Sequence, residues 1–256
     1  SSFAILSLPV LFNYKSKVTI IEKNFYKSFK IYVKSKGKIS YKPFPKPHLL
    51  VENASLNLSK TEGRGDLLNT TNLKIFISLR DIYLRSFEDL SSTEISNSNL
   101  ELRISDLKQL RDHLYLKINK PIIFNNCKIF LKNKKNEVIL ISPTKKISYK
   151  INNKTKIKNF IIIGEAFGLN FKSSWKRNYL SPKKSIHDIN IINPKIEIKN
   201  IFRFENSKIF NIQSQIDYIQ EKMEYNFEYR NNKVKVFSPN KEKNNFNINS
   251  QINLDP

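Results

Sequence analysis

Leu73-Lys74-Ile75-Phe76-Ile77-Ser78-Leu79-Arg80 puts Leu73, Ile75, Ile77 and Leu79 on one side of an extended chain, with Lys74, Phe76, Ser78 and Arg80 on the other. A strand sends successive side chains to opposite faces, so one apolar side and one wetter side mark a half-buried antiparallel strand. The pattern recurs far from this segment. Leu100, Leu102 and Ile104 alternate with Glu101 and Arg103, and Met223, Tyr225, Phe227 and Tyr229 alternate with Glu224, Asn226, Glu228 and Arg230. The expected fold class is mainly β: a long curved antiparallel sheet forming an open groove.

Helical periodicity is brief. Val18, Ile21, Phe25 and Phe29 recur at spacings of three and four, which predicts a short helix over 14–28. Phe29, Ile31 and Val33 then alternate with Lys30, Tyr32 and Lys34 as a strand. Gly37 falls in a turn, and Lys38-Ile39-Ser40-Tyr41 begins a second strand. Pro43, Pro45 and Pro47 interrupt the ladder, because proline donates no backbone hydrogen bond. One further short helix is predicted over 105–115, with Ser105 as its cap and Leu107, Leu110 and Leu114 on one face. Residues 81–90 fit a loop or a single helical turn, and Asn133–Glu137 and Ser181–Ser185 read as exposed loops. Asn152-Asn153 and Asn231-Asn232 suit two-residue hairpin turns, since Asn tolerates positive φ. A degenerate repeat opens at Asn53, Asn97, Asn126, Asn193 and Asn206, each Asn standing three residues ahead of Leu or Ile. Each of these Asn residues is expected to set a turn or bulge that starts the next strand, the alternative being a chance recurrence in a chain rich in Asn and Ile.

The 256 residues suffice for a sizeable core. Only 5 are glycine, so turns fall to Asn, Asp, Ser and Pro. The 45 basic and 22 acidic residues give +23. Such a charge suits a surface drawn to polyanions, or lysines spread over the solvated faces of a chain rich in Lys, Asn and Ile. Charge alone does not choose between them. The lone Cys127 excludes an intrachain disulfide and a cysteine-based zinc site. Residues 1–12 are apolar and turn basic at Lys15 and Lys17. They are too short to span a bilayer alone but fit the remnant of an N-terminal membrane anchor.

No pattern of catalytic chemistry is present. His48, His113 and His187 lie far apart without ligand spacing, and there is no HExxH, GxSxG, P-loop or GxGxxG sequence. Ser185-Ile186-His187-Asp188 has the residue types of a triad, but neighbours in one strand cannot meet in triad geometry. Arg64-Gly65-Asp66 is a tripeptide short enough to arise by chance. Trp175-Lys176-Arg177-Asn178-Tyr179 interleaves bases and aromatics, yet no RNA- or DNA-binding motif accompanies it, which argues against nucleic acid. No enzyme activity, metal or cofactor is expected.

The order of elements carries more. An apolar segment and a helix lead into an alternating strand, Gly37, Lys38-Ile39-Ser40-Tyr41 and Pro43-Phe44-Pro45. Leu49-Leu50-Val51-Glu52-Asn53-Ala54-Ser55-Leu56 follows, then Leu73–Tyr83, then Thr93–Leu102. Over about residues 1–105 this resembles the amino-terminal region of the AsmA family of bacterial envelope proteins; beyond that only the strand style persists. The resemblance implies an inner-membrane-anchored protein with its bulk in the periplasm of a Gram-negative cell, acting in outer-membrane biogenesis. On that basis 1–12 is the anchor remnant and 13–256 a β-groove region continuing past the chain's end. The implied partners are phospholipid acyl chains, the inner membrane and other envelope proteins, with passive lipid transfer as the activity. The family supplies no motif for lipid contact. Alternation nominates Ile75, Ile77, Leu100, Leu102, Ile161, Ile163, Ile196 and Ile198 as groove residues. The rivals are a closed structural or adhesive β-sandwich and, ranked last for want of aromatic girdles, an outer-membrane barrel.

Overall fold

The computed structural model describes residues 7–59, 67–113, 118–205, 208–230, 233–239 and 248–253. The chain divides into two compact units, Ser1–Lys150 and Ile151–Pro256. Both are built from open, mainly antiparallel sheet.

The first unit holds β1 (Tyr32–Ser35), β2 (Ile39–Lys42), β3 (His48–Asn57), β4 (Leu68–Ile77), β5 (Leu90–Arg103), β6 (Ile122–Lys132) and β7 (Val138–Asn152). Its helices are α1 (Val18–Phe29), α2 (Leu79–Leu84) and α3 (Leu107–Asp112). The strands lie in the order β1-β3-β4-β5-β6-β7, with β2 also on β3. β1 and β2 run end to end along β3, pairing with residues 54–57 and 48–51 respectively. Gly37 sits at the break, where a Cβ would collide with the carbonyl of Glu52. β5 and β6 pair in parallel, an exception to the antiparallel expectation. Parallel neighbours need a long crossover, and the segment bearing α3 supplies it.

α1 packs its Ile21, Phe25 and Phe29 stripe inward, with the two phenylalanine rings 4.7 Å apart. Asn24 on the same stripe donates to the carbonyl of Ser86 at 3.1 Å. The helix keeps Phe29, which the alternation assigned to a strand, and ends at Lys30 in a left-handed cap (φ 56°). Ser78, not Leu79, closes the extended run. Its Oγ accepts from the Asp81 amide at 3.1 Å and caps α2, so the single helical turn is the option realised over 81–90. Ser105 does not cap α3. It lies inside a 3-10 turn, Ile104–Asp106, with its Oγ on the Asp106 carboxylate. Leu114 lies outside the described residues.

The repeated asparagines of this unit share one row. Between Glu52↔Asn72 and Ala54↔Thr70, Asn53 faces Thr71; by the same registers Thr71 faces Asn97, Asn97 faces Asn126, and Asn126 faces Lys145. Asn53, Asn97 and Asn126 are left-handed (φ 55°, 53° and 52°). Here the inward parity changes in every strand. On β3 it passes from Leu49 and Val51 to Ala54 and Leu56, and on β5 from Thr93 and Ile95 to Ser98 and Leu100. Because five neighbouring strands carry the same extra outward residue, the ladder resumes in register, with Val51, Leu73 and Ile95 on the core side at one flank of the row and Ala54, Thr70 and Ser98 at the other.

The second unit is a plain succession of antiparallel neighbours: β8 (Ile157–Ala166), β9 (Leu169–Asn178), β10 (Lys184–Ile191), β11 (Ile196–Glu205), β12 (Lys208–Tyr218), β13 (Glu221–Arg230), β14 (Lys233–Phe237) and β15 (Asn249–Asn253). Its tightest turns put positive φ on Phe167, Gly168 and Ile219. Asn152 works differently from the expected two-residue turn. Its side chain accepts from the amides of Lys154 and Thr155 (2.9 and 3.1 Å), and the link to β8 is longer. Asn178 does the same for Leu180 and Ser181. Asn193 falls in the β10–β11 turn. Asn206, Asn231, Asn232 and residues 64–66 lie outside the described residues.

Candidate functional site

Residues paired in register share a face, so the ladders of the second unit fix its two surfaces. Ile162, Ser173, Ile189, Ile198, Ile216 and Met223 form one continuous row over β8–β13. On the same face, the row to one side is Gly164, Phe171, Ile191, Ile196, Tyr218 and Glu221. To the other side it is Phe160, Trp175, His187, Asn200, Ser214 and Tyr225, followed by Lys158, Arg177, Ser185, Phe202, Ile212 and Phe227. The opposite face is mixed: it carries Lys172, Lys176, Asp188, Glu197, Lys199 and Glu224 together with Ile161, Ile163, Ile186 and Ile201.

Four polar groups within the apolar face pair with one another. Ser173 Oγ and His187 Nε2 are 2.8 Å apart, and Ser214 Oγ donates to Asn200 Oδ1 at 2.6 Å. Trp175 stacks on Phe202 at 4.8 Å and lies 4.7 Å from the His187 ring. Burial among these rings lowers the His187 pKa, and Asp188 raises it in part.

The two units treat their apolar faces differently. In the first, Leu49, Leu73, Ile75 and Ile95 are 0% exposed. In the second, the buried apolar side chains among the described residues are Val234 and Val236. Phe160, Ile162, Ile189, Ile198, Phe202 and Ile216 are only half-buried. The unit has no described helix, and each of its strands from β8 to β15 is hydrogen-bonded to the next in chain order.

The eight residues nominated by alternation fall into three settings. Ile75, Ile77, Leu100 and Leu102 are buried in the core of the first unit. Ile196 and Ile198 lie on the apolar face of the second. Ile161 and Ile163 pair with Ser174 and Lys172 on the opposite face; the apolar face takes Phe160 and Ile162 instead. Phe160-Ile161-Ile162-Ile163 is apolar throughout, so its own alternation is silent. The signal lay in the partner strand, where Ser173 and Trp175 are separated by Ser174 and followed by Lys176.

The histidines do not converge: His48 is on β3, His113 follows α3, and His187 is on β10. His48 Nδ1 lies 2.7 Å from the Lys46 carbonyl. Burial pushes the Cys127 thiol pKa up, against hydrogen bonds from Ser98 and Leu100. Among the described residues no three His, Cys, Asp or Glu side chains are grouped to hold a metal ion. No described helix is long and apolar enough to cross a membrane; Leu8–Leu11 forms a short 3-10 turn. No family model matches the chain, and no curated protein matches it either.

Proposed function

We propose that the second unit binds phospholipid acyl chains on its apolar face and passes them along it without catalysis. The protein would do so from an inner-membrane anchor, with its bulk in the periplasm, in outer-membrane biogenesis. The observation that carries this reading is the continuous, only half-buried apolar face running over β8–β13. Large contiguous apolar surfaces mark interaction sites rather than ordinary solvated surface. Each methylene moved from water onto such a face gains ~0.8 kcal/mol, so a whole chain gains several without an energy source. The face is also long enough. From Lys158 to Ala166 along β8 the rise is ~26 Å at ~3.3 Å per residue, against ~15 Å for one leaflet of a ~30 Å hydrocarbon core. The AsmA-like order of elements over residues 1–105 supports the envelope setting.

The rival reading, a structural or adhesive sandwich, draws on the first unit, where the same kind of alternation ends in a buried core. Photo-crosslinkers placed in the full chain separate the two. Ile198 and Ile216 are expected to capture phospholipid in cells while Lys199 and Gln215 do not. Protein adducts alone at Ile198 would favour the sandwich.

A further inference from the structure

Over β8–β10 the apolar face of the second unit carries a polar row. Lys158 on β8, Arg177 on β9 and Ser185 on β10 are consecutive partners in register. They therefore stand side by side on that face, ~4.8 Å apart from strand to strand. Lys158 is 4% exposed and Ser185 1%. Ser185 Oγ is buried without a hydrogen-bond partner, a costly state for a hydroxyl. The Arg177 guanidinium is fixed in place, its Cζ 4.5 Å over the Phe204 ring and its Nη2 donating to the Pro182 carbonyl at 3.0 Å. The Lys158 ammonium lies 5.8 Å from the Tyr179 ring centroid. Glu165, Asp188, Glu197 and Glu205, the carboxylates of β8–β11, alternate onto the opposite face. Two cations and an unsatisfied hydroxyl thus form one row of a surface whose next rows are Phe160, Trp175 and His187, then Ile162 and Ile189.

We infer that Lys158, Arg177 and Ser185 form a subsite for the anionic phosphate of a phospholipid whose acyl chains run across those next rows. The inference rests on the lipid reading of this face and adds an orientation to it: head at the Lys158 row, tails toward Ile191 and Ile196. Guanidinium and ammonium groups both make charge-assisted hydrogen bonds to phosphate oxygens, and a serine hydroxyl adds a neutral donor. Burial lowers the Lys158 pKa, and a bound phosphate would favour its charged form again.

The test compares two probes that share their tails, dioleoyl-phosphatidylglycerol and dioleoylglycerol, binding to the full chain from neutral vesicles. Lys158→Met with Arg177→Gln is expected to weaken phosphatidylglycerol binding about tenfold or more while leaving dioleoylglycerol unchanged. Ser185→Ala is expected to give a smaller loss of the same selectivity, and Lys158→Arg to retain binding. Unchanged binding of dioleoylglycerol, with an unchanged circular dichroism spectrum, shows that the variants fold. Equal loss of both probes, or no loss of phosphatidylglycerol, overturns the subsite while leaving the acyl-chain reading in place. Failure of the unmodified chain to bind either probe overturns that reading and the subsite with it. Competition by inorganic phosphate as strong as by phosphatidylglycerol makes this a free-phosphate site and overturns the headgroup assignment.

Discussion

Asn97 on β5 stands beside Asn126 on the parallel strand β6, and both hold left-handed backbone (φ 53° and 52°) between partners that pair normally on either side. Asn53 occupies the same row on β3, so the row crosses the sheet as one feature. Its effect is to move the inward parity by one residue in each strand at the same height. Without it, Leu49 and Val51 would face the core while Ala54 and Leu56 did not.

Left-handed backbone costs most non-glycine residues about 1–2 kcal/mol, and asparagine less than most. Asn97→Gly is therefore expected to leave stability nearly unchanged, whereas Asn97→Val destabilises by about 1–3 kcal/mol. Urea unfolding of the two variants checks this. Equal stability of both would mean that the row does not require the left-handed conformation.

Strand type was legible wherever polar and apolar residues alternate, as in Leu73–Ile77 and Met223–Tyr229. The asparagine repeat marked turns or bulges, but Asn53, Asn97 and Asn126 lie inside β3, β5 and β6 rather than at strand starts, and their alignment into a row was hidden because register is a property of strand pairs. The parallel pairing of β5 with β6 was hidden for the same reason, since half-buried strands alternate alike in either direction. For the candidate face, Ile196 and Ile198 could be assigned from their charged neighbours Glu197 and Lys199. Ile161 and Ile163 could not, because all their neighbours from Phe160 to Ile163 are apolar. Ile75 and Leu100 show a further limit: alternation marks an apolar side but not whether a layer covers it.

That last distinction gives a paired prediction. Ile75 is 0% exposed, and a carboxylate there would be buried without a partner. Ile75→Asp is expected to cost more than about 4 kcal/mol and to abolish the cooperative unfolding of the first unit. Ile198 is only half-buried, so Ile198→Asp is expected to keep the fold while lowering phospholipid capture. Circular dichroism with thermal melting separates the outcomes. Equal collapse of both variants would show the second face to be buried as well.

His187 gives the apolar face a pH dependence. Burial holds its pKa below the ordinary 6.5 in the folded chain. The unfolded chain then binds more protons in the interval between the two values. The stability tied to neutral His187 is full above pH 6.5 and is lost as pH falls through the lowered value. The melting temperature is expected to drop between about pH 7.5 and about pH 5, and to drop less in His187→Gln. An identical slope in the variant would assign the acid sensitivity to other groups.

The sharpest test of the face uses two adjacent residues of the same chemistry. Ile162 and Ile163 have equal hydrophobicity and occupy neighbouring positions on β8. The register nevertheless gives Ile162 to the row of Ser173, Ile189 and Ile198, and pairs Ile163 with Lys172 on the opposite face. A photo-crosslinker at Ile162 is expected to capture phospholipid, and one at Ile163 to react with water or with neighbouring polar side chains. Swapping which residue carries the probe changes neither composition nor the local propensity for strand, so a difference in yield reports the face alone. Capture at both positions would mean that lipid contacts both surfaces of the sheet, as it would if the unit lay flat in a membrane interface. Capture at Ile163 alone would require β8 to slip by one residue against β9, because a one-residue slip is what exchanges the faces of a strand.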